Sequence, residues 1–292
     1  MKALGFIGAG NMAEALARGL IGNKVFKASE LIASDVDAAR RRRFKGALKV
    51  EVTTDNRRVL GESRAVLLAV KPQIIDAVLT ELAAATREDG RDADSRRKPK
   101  RGRADRGGLA SPLFISIAAG VTLGRLEGAL GSGARVIRVM PNAPAMVGQG
   151  MAALVRGRHA SRADEAFALS IFRAVGDAVA LKDEGLLDAV TALSGSGPAY
   201  VYLFIKSLAD AGAAEGLAPE LALKMALKTV RGAEKNMRRS PLAAAELIRI
   251  VASPGGTTEA ALKQLGADAF SDIVARAVKA AAERSRELGR VS

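Results

Sequence analysis

Two glycines separated by one residue, directly after a short apolar run, constrain this chain more than any other feature. Lys2-Ala3-Leu4-Gly5-Phe6-Ile7 reads as a buried strand, Gly8-Ala9-Gly10 as a tight turn, and Asn11–Ile21 as a helix. Strand, glycine turn and helix in that order give a G-x-G-x-x-A pattern its meaning as a dinucleotide fingerprint, where a bare match would be an ordinary strand–helix turn. Gly8 permits the turn, Gly10 lets the backbone approach a pyrophosphate, and Ala13 is small enough for close helix–strand packing. The free N–H groups at the helix start suit phosphate oxygens.

The pattern continues beyond the fingerprint. Apolar runs at Ala3–Ile7, Leu31–Ser34, Ala65–Val70, Leu113–Ile117, Arg135–Met140, Ala152–Val155 and Ala178–Leu181 predict strands. Helical periods at Asn11–Ile21, Ala38–Ala47, Gln73–Ala85, Leu123–Leu130 and Arg162–Val175 lie between several of them. The runs do not alternate cleanly, so both faces of the sheet are covered. Strand alternating with helix predicts an α/β fold with a doubly wound sheet, a Rossmann dinucleotide-binding domain over residues 1–183. After Asp183 no β-branched run remains. Gly185–Leu193, Ala199–Glu215, Pro219–Met237, Leu242–Val251, Thr258–Leu265 and Ala269–Leu288 all read as helices, an all-helical domain over residues 184–292. Several are more apolar than one buried face requires, which predicts packing against a second copy.

Composition narrows the function. The chain has 292 residues and no cysteine, which excludes disulfides, thiolate metal sites and cysteine nucleophiles. No apolar run approaches the ~18 residues of a membrane span. Met1-Lys2-Ala3-Leu4 runs straight into the fingerprint, so the expectation is a cytoplasmic protein with no membrane partner. The net charge is +14, a value that raises the question of nucleic acid. The charge is concentrated in Arg40-Arg41-Arg42-Arg43 and in the tract from Arg91 to Arg106, which reads as a mobile basic loop, and aromatics are 3%. Nucleic acid is therefore not the expected partner. The single histidine, His159, sits in an apparent surface loop, and no cluster of ligating side chains suggests a metal.

Four further stretches carry candidate chemistry. Ala69-Val70-Lys71-Pro72 ends a central strand, where open α/β sheets bind ligands, and Lys71 is there either for a cofactor phosphate or as a solvated lysine ahead of a proline at a helix start. Met140-Pro141-Asn142 makes a stiff turn that either walls a nicotinamide pocket or is purely structural. Ser194-Gly195-Ser196-Gly197-Pro198 breaks one helix and starts another, and reads best as close helix–helix packing. Ser253-Pro254-Gly255-Gly256-Thr257-Thr258 leads into a helix and forms a nest of N–H groups suited to a carboxylate; the bland alternative is N-capping by a threonine.

Taken in order, these motifs resemble pyrroline-5-carboxylate reductase, the family that makes proline in the last step of its biosynthesis. The matches are Gly5–Ala13, Asn56, Val70–Pro72, Ser116–Val121, Met140–Asn142, Leu193–Tyr200, Asp210–Gly212 with Gly216–Leu217, and Ser253–Thr258. The resemblance implies a Rossmann domain followed by a helical dimerisation domain, dimers with decamers as a larger assembly, and active sites at the dimer interface. It implies cofactor contacts at Ile7, Gly8, Ala9, Gly10, Asn11, Met12, Ser34, Asn56, Ala69, Val70, Lys71, Pro72 and Ala119. Substrate contacts are implied at Glu184, Thr257 and Thr258, with the Thr258 hydroxyl meeting the ring nitrogen, and the nest reading adds Ser253 and Gly256 on the substrate carboxylate. The small-molecule substrate is then pyrroline-5-carboxylate, and the product proline.

Three departures stand out. Asp89–Leu109 looks like an insertion, and Arg238–Glu246 looks a few residues long. Asp35 follows Ser34, where an acid holds the ribose of NAD. Arg40–Arg43 would instead suit a 2′-phosphate, so NADPH is the expected cofactor with NADH as the alternative. Two rival readings exist: a 3-hydroxyacid dehydrogenase, for which the helical half lacks the lysine or histidine that its chemistry wants, and a nucleotide-sensing or nucleic-acid-binding protein using the basic tracts.

Overall fold

The apolar runs of the first half assemble into one sheet. In this computed structural model, which describes residues 1–94 and 112–291, the strands are β1 (Lys2–Ile7), β2 (Leu31–Ser34), β3 (Glu51–Thr53), β4 (Ser63–Leu68), β5 (Leu113–Ser116), β6 (Arg135–Met140), β7 (Gly150–Arg156) and β8 (Gly176–Leu181). Their order is β3-β2-β1-β4-β5-β6-β7-β8. All neighbours are parallel except β6 and β7. Leu4 pairs with both Leu31 and Ala65, so the order reverses beside β1, at the fingerprint. A crevice outside the strand C-termini at such a switch point is where this fold takes ligands.

The intervening helices are α1 (Asn11–Gly22), α2 (Ala38–Leu48), α3 (Asn56–Glu62), α4 (Ile75–Asp94), α5 (Leu123–Leu130) and α6 (Arg162–Arg173). They cover both faces. Side chains alternate along a strand, so Leu4 and Phe6 of β1 join one core with Leu16, Leu20, Phe44, Ile137, Leu154 and Phe172. Ile7 joins the other with Ile32, Val66, Leu68, Leu79, Leu82, Phe114 and Leu126.

Local chemistry sets the helix starts. Asp37 caps α2, its carboxylate accepting from the N–H groups of Ala39 and Arg40, and those bonds hold its carboxyl below the usual range. Asp55 caps α3 in the same way. Ser161 and Asp164 form a reciprocal capping box on α6.

Several boundaries differ from the sequence expectation. β3 and α3 have no counterpart there. β4 stops at Leu68 instead of Val70, and the chain turns at Pro72 through a 3-10 turn into α4. Helix α4 runs on to Asp94 instead of ending near Ala85, so the start of the expected basic loop is helical. The rest of that tract, residues 95–111, lies outside the described residues.

The helices that follow are α7 (Leu186–Val190), α8 (Gly197–Ala214), α9 (Pro219–Arg239), α10 (Ala244–Val251), α11 (Thr257–Ala267) and α12 (Phe270–Val291), with a π-type turn over Thr191–Gly195 after α7. The extended segment before α10 is pinned by Ser240, which accepts from the Leu242 N–H, and by Glu246, which accepts from the Ala243 N–H. By compactness the chain falls into two units. One is Met1–Gly195 with the last turns of α12 from Ala282; the other is Ser196–Ala281. In the first unit the end of α12 is fixed by the Ser285 hydroxyl, which donates to Asp188 at 2.6 Å, and by Leu288 against Gly120. No helix among the described residues is long and apolar enough to cross a membrane.

Candidate active site

The expected cofactor residues of the first unit gather at the C-terminal ends of β1, β2, β4 and β5. Ile7 closes β1, and Ala69 donates its N–H to the Ile7 carbonyl at 2.8 Å as the chain leaves β4. Gly8 follows with φ +98° and donates its N–H to the Ser34 carbonyl at 2.8 Å. A Cβ at Gly8 would stand 2.6 Å from the Ala69 carbonyl oxygen. Glycine is required there by backbone conformation and by space. A Cβ at Gly10 would meet nothing within 4 Å. The turn is tight on its inner side and open at Gly10, the shape a diphosphate needs to reach the start of α1. Asn11 is exposed and Met12 half-buried at that helix start, while Lys71 and Ala119 are exposed on the neighbouring loops. The residues of this rim fit a dinucleotide.

Beneath this rim a polar chain runs between elements. The Ser34 hydroxyl, almost fully buried, donates to Asn56 Oδ1 at 2.6 Å, and Asn56 Nδ2 donates to Glu81 Oε2 at 2.8 Å. The chain fixes Asn56 at the start of α3 against β2 and α4. Glu81 was not anticipated: it lies 25 residues from Asn56, and only the strand order brings them together.

The arginine run does not act as one patch. Arg43 turns to α1 and pairs with Glu14 at 2.6 Å, which Arg18 also reaches at 2.9 Å. Arg41 donates to the Asp35 carbonyl at 2.6 Å, and Arg40 lies 3.7 Å from both Asp35 and Asp37 carboxylates.

Glu184, expected on the substrate side, is held within the first unit. Its Oε1 accepts from Arg138 Nη1 at 2.6 Å and from the Leu123 N–H at 2.7 Å. The carboxylate thus neutralises a buried strand arginine and takes up a free N–H at the start of α5. Neither partner was foreseen, because each is tens of residues away. Asn142 is committed to structure: its Oδ1 accepts from the Met151 N–H at 2.8 Å, and its Nδ2 donates to the Ser194 carbonyl and hydroxyl at 3.2 Å each. The expected close approach at Ser194–Pro198 falls at Gly195, where a Cβ would meet the Met140 terminal methyl at 2.4 Å. It is therefore packing on the turn after β6 and not between two helices, and a Cβ at Gly197 would meet nothing.

In the second unit, Ser253–Gly256 forms the loop before α11. Gly255 has φ +68°, and its N–H donates to Glu259 Oε2 at 2.6 Å. The loop already holds one internal carboxylate. The Gly256 N–H donates to the Ser253 carbonyl at 3.0 Å, and a Cβ at Gly256 would stand 2.6 Å from the Ser253 hydroxyl. Gly256 itself is the N-cap, with no side-chain cap. Capping by a threonine is thereby corrected: Thr257 and Thr258 are the first two helical residues, Thr257 exposed and Thr258 half-buried. Their hydroxyls are not consumed by capping, and first-turn N–H groups have no intrahelical partner. His159 is exposed in the turn after β7, and no group of side chains among the described residues could hold a metal ion.

Comparison with known proteins shows the family of the chain. The family model "Pyrroline-5-carboxylate reductase dimerisation" matches residues 184–288, and "NADP oxidoreductase coenzyme F420-dependent" matches residues 3–90. A pyrroline-5-carboxylate reductase of Synechocystis sp. is 40% identical over 98% of this chain and 98% of its own length. The solved structure of a pyrroline-5-carboxylate reductase from Coxiella burnetii superposes with a TM-score of 0.84 at 33% identity, over 98% of both chains. That of the Plasmodium falciparum enzyme, solved with NADP bound, gives 0.83 at 31% identity, over 99% of this chain and 98% of that one. With its glycine loop at the sheet's switch point and its Ser-Pro-Gly-Gly-Thr-Thr loop opening a helix of the second unit, the chain belongs to the pyrroline-5-carboxylate reductase family.

Proposed function

We propose that this chain reduces (S)-1-pyrroline-5-carboxylate to L-proline by hydride transfer from NAD(P)H, the last step of proline biosynthesis. NADPH is the preferred donor and NADH the alternative. The observation that carries this reading is the loop before α11, where two threonines head the helix with their hydroxyls free of capping duty. The N–H groups of Thr257 and Thr258, next to the Gly256 N-cap, hold the substrate carboxylate with the Ser253 hydroxyl at the positive helix end. The Thr258 hydroxyl orients the ring nitrogen. Glu184 Oε1 keeps Arg138 and α5 in place, and Oε2 serves the substrate side.

The dinucleotide is held by Ile7–Met12, Ser34, Asn56, Ala69–Pro72 and Ala119; when bound, its nicotinamide supplies the hydride. The hydride adds to the imine carbon and the ring nitrogen gains one proton. Threonine is too weak an acid to give up that proton near neutral pH, so it arrives from solvent or with the substrate. The protein's contribution is alignment and exclusion of unproductive poses. The functional division runs between residues 1–183, for the cofactor, and 184–292, for substrate and self-association. The assembly is a dimer, and decamers are the larger form the family resemblance implies.

The test is nicotinamide oxidation with pyrroline-5-carboxylate, followed by absorbance for wild type and Thr258→Ala. Substrate-dependent oxidation that falls by roughly 10²-fold in kcat/KM in the variant supports the reading. An unchanged rate removes Thr258 from the mechanism, and no oxidation with either cofactor overturns the reductase assignment.

A further inference from the structure

Asp35 stands where a dinucleotide-binding fold places the acid that grips an unphosphorylated ribose, yet its carboxylate is turned the other way. Oδ2 accepts the Ala9 N–H at 2.9 Å, inside the glycine loop. Oδ1 accepts the Asp37 N–H at 2.9 Å, closing the turn into α2. The side chain is only 6% exposed. A ribose diol needs outward-facing carboxylate oxygens, and turning Asp35 out would orphan the Ala9 N–H. The carboxylate charge also has a counter-charge, since Arg40 Nη1 lies 3.7 Å from Oδ2. Arg41 is fixed on the Asp35 carbonyl. Arg40 is half exposed, so its guanidinium stays accessible at the edge of the site.

We infer that Asp35 is a positioning residue that props the glycine loop from within, and that Arg40, beside it, favours the 2′-phosphorylated dinucleotide. The inference rests on the reading that a nicotinamide dinucleotide binds this loop. An acid at the end of β2 would ordinarily repel a 2′-phosphate. Here each of its oxygens accepts one backbone N–H and its charge is offset by a neighbouring arginine, so the acid and a phosphate-binding site coexist.

The experiment is a fluorescence titration of NADPH and NADH, separately and without substrate, against wild type, Asp35→Ala, Asp35→Asn and Arg40→Ala. Hydrogen exchange of the Ala9 amide is followed in the nucleotide-free proteins. Asp35→Ala should weaken both nucleotides by a similar factor, about tenfold, and unprotect the Ala9 amide. Asp35→Asn, whose amide oxygen still accepts from Ala9, should restore most of both. Arg40→Ala should weaken NADPH by more than it weakens NADH. Loss of NADH affinity alone in the Asp35 variants, with NADPH unchanged or tighter, would mean that Asp35 reads the ribose and would overturn the inference. An unaltered Ala9 amide in Asp35→Ala would overturn the prop. If wild type binds both nucleotides as expected but reduces no imine, the reductase reading fails and this one stands. If it binds neither, the selectivity falls too.

Discussion

The α/β unit and the helical unit place their large apolar residues in opposite ways. In the first, Phe6, Phe44, Phe114, Leu4, Leu16 and Leu20 are fully buried in two cores either side of the sheet. In the second, over residues 196–281, the only buried side chains are three alanines, Ala209, Ala222 and Ala226. Leu203 is 65% exposed, Tyr202 62% and Phe204 47%, and Leu223, Met225 and Leu227 are exposed as well. Helices α8 and α9 meet through small residues and turn their bulk outward. Covering one such side chain contributes about 1.5–3 kcal/mol, so a single protomer leaves much of this unit's stability unrealised. One unit carries its own core, while the other leaves its large apolar side chains open for a partner surface to cover. This agrees with the dimerisation family model over residues 184–288.

The largest expected effect tests that difference directly. Leu203→Glu puts a charge in the apolar face and should abolish the dimer in sedimentation, with loss of a cooperative helical melt. Val25→Glu, at an exposed apolar position of the α/β unit, should leave the oligomeric state unchanged. A stable Leu203→Glu dimer would break the comparison. Next come core truncations. Phe114→Ala should cost about 3–5 kcal/mol in denaturant unfolding of the α/β transition, whatever the protein concentration. The cost of Leu227→Ala should grow with concentration, because its partners belong to the assembled form.

Smaller effects distinguish the two glycine loops. Gly8→Ala meets the Ala69 carbonyl and has φ +98°, so nucleotide affinity measured by titration should fall by about tenfold or more. Gly255→Ala has open space at φ +68°, and should show only the left-handed strain of about 1–2 kcal/mol in thermal unfolding.

The smallest effect is electrostatic and confined to the α/β unit. Glu51 on β3 accepts from Lys2 and Arg58, and those bonds hold its carboxyl below the ordinary range. A depressed folded pKa gives stability that is present above the unfolded value and is lost as pH falls through the folded one. The Glu51→Gln variant should therefore differ from wild type at neutral pH and converge with it under acid, in melts of the same transition. The difference should be small, because the pair is partly exposed and screened.

The sequence was legible where chemistry is local. The glycine turn and the apolar runs of β1, β2, β4, β5 and β6 act within a few residues, so the fold class could be read directly. β3 could not: it has three residues, none buried, and exists because β2 pairs with it and Lys2 and Arg58 tie Glu51 down. The end of α4 was missed because Arg87–Asp94 carries no apolar period to mark a helix. The roles of Asp35, Glu81 and Arg138 depend on partners 25 or more residues away. The π-type turn at Thr191–Gly195 depends likewise on Asn142 and Met140 reaching it from another strand. No motif reports such contacts.

The return of α12 to the first unit makes that unit discontinuous along the chain. Ser285 reaches Asp188 across 97 residues, and the whole of Ser196–Ala281 lies in between. Closing so long a loop costs entropy before the contact repays it, and non-local contacts form slowly. The sheet and its covering helices can therefore assemble early during folding. Truncating the chain before Ser285 would remove the tie to Asp188 and leave the Gly120 loop without the flank of α12.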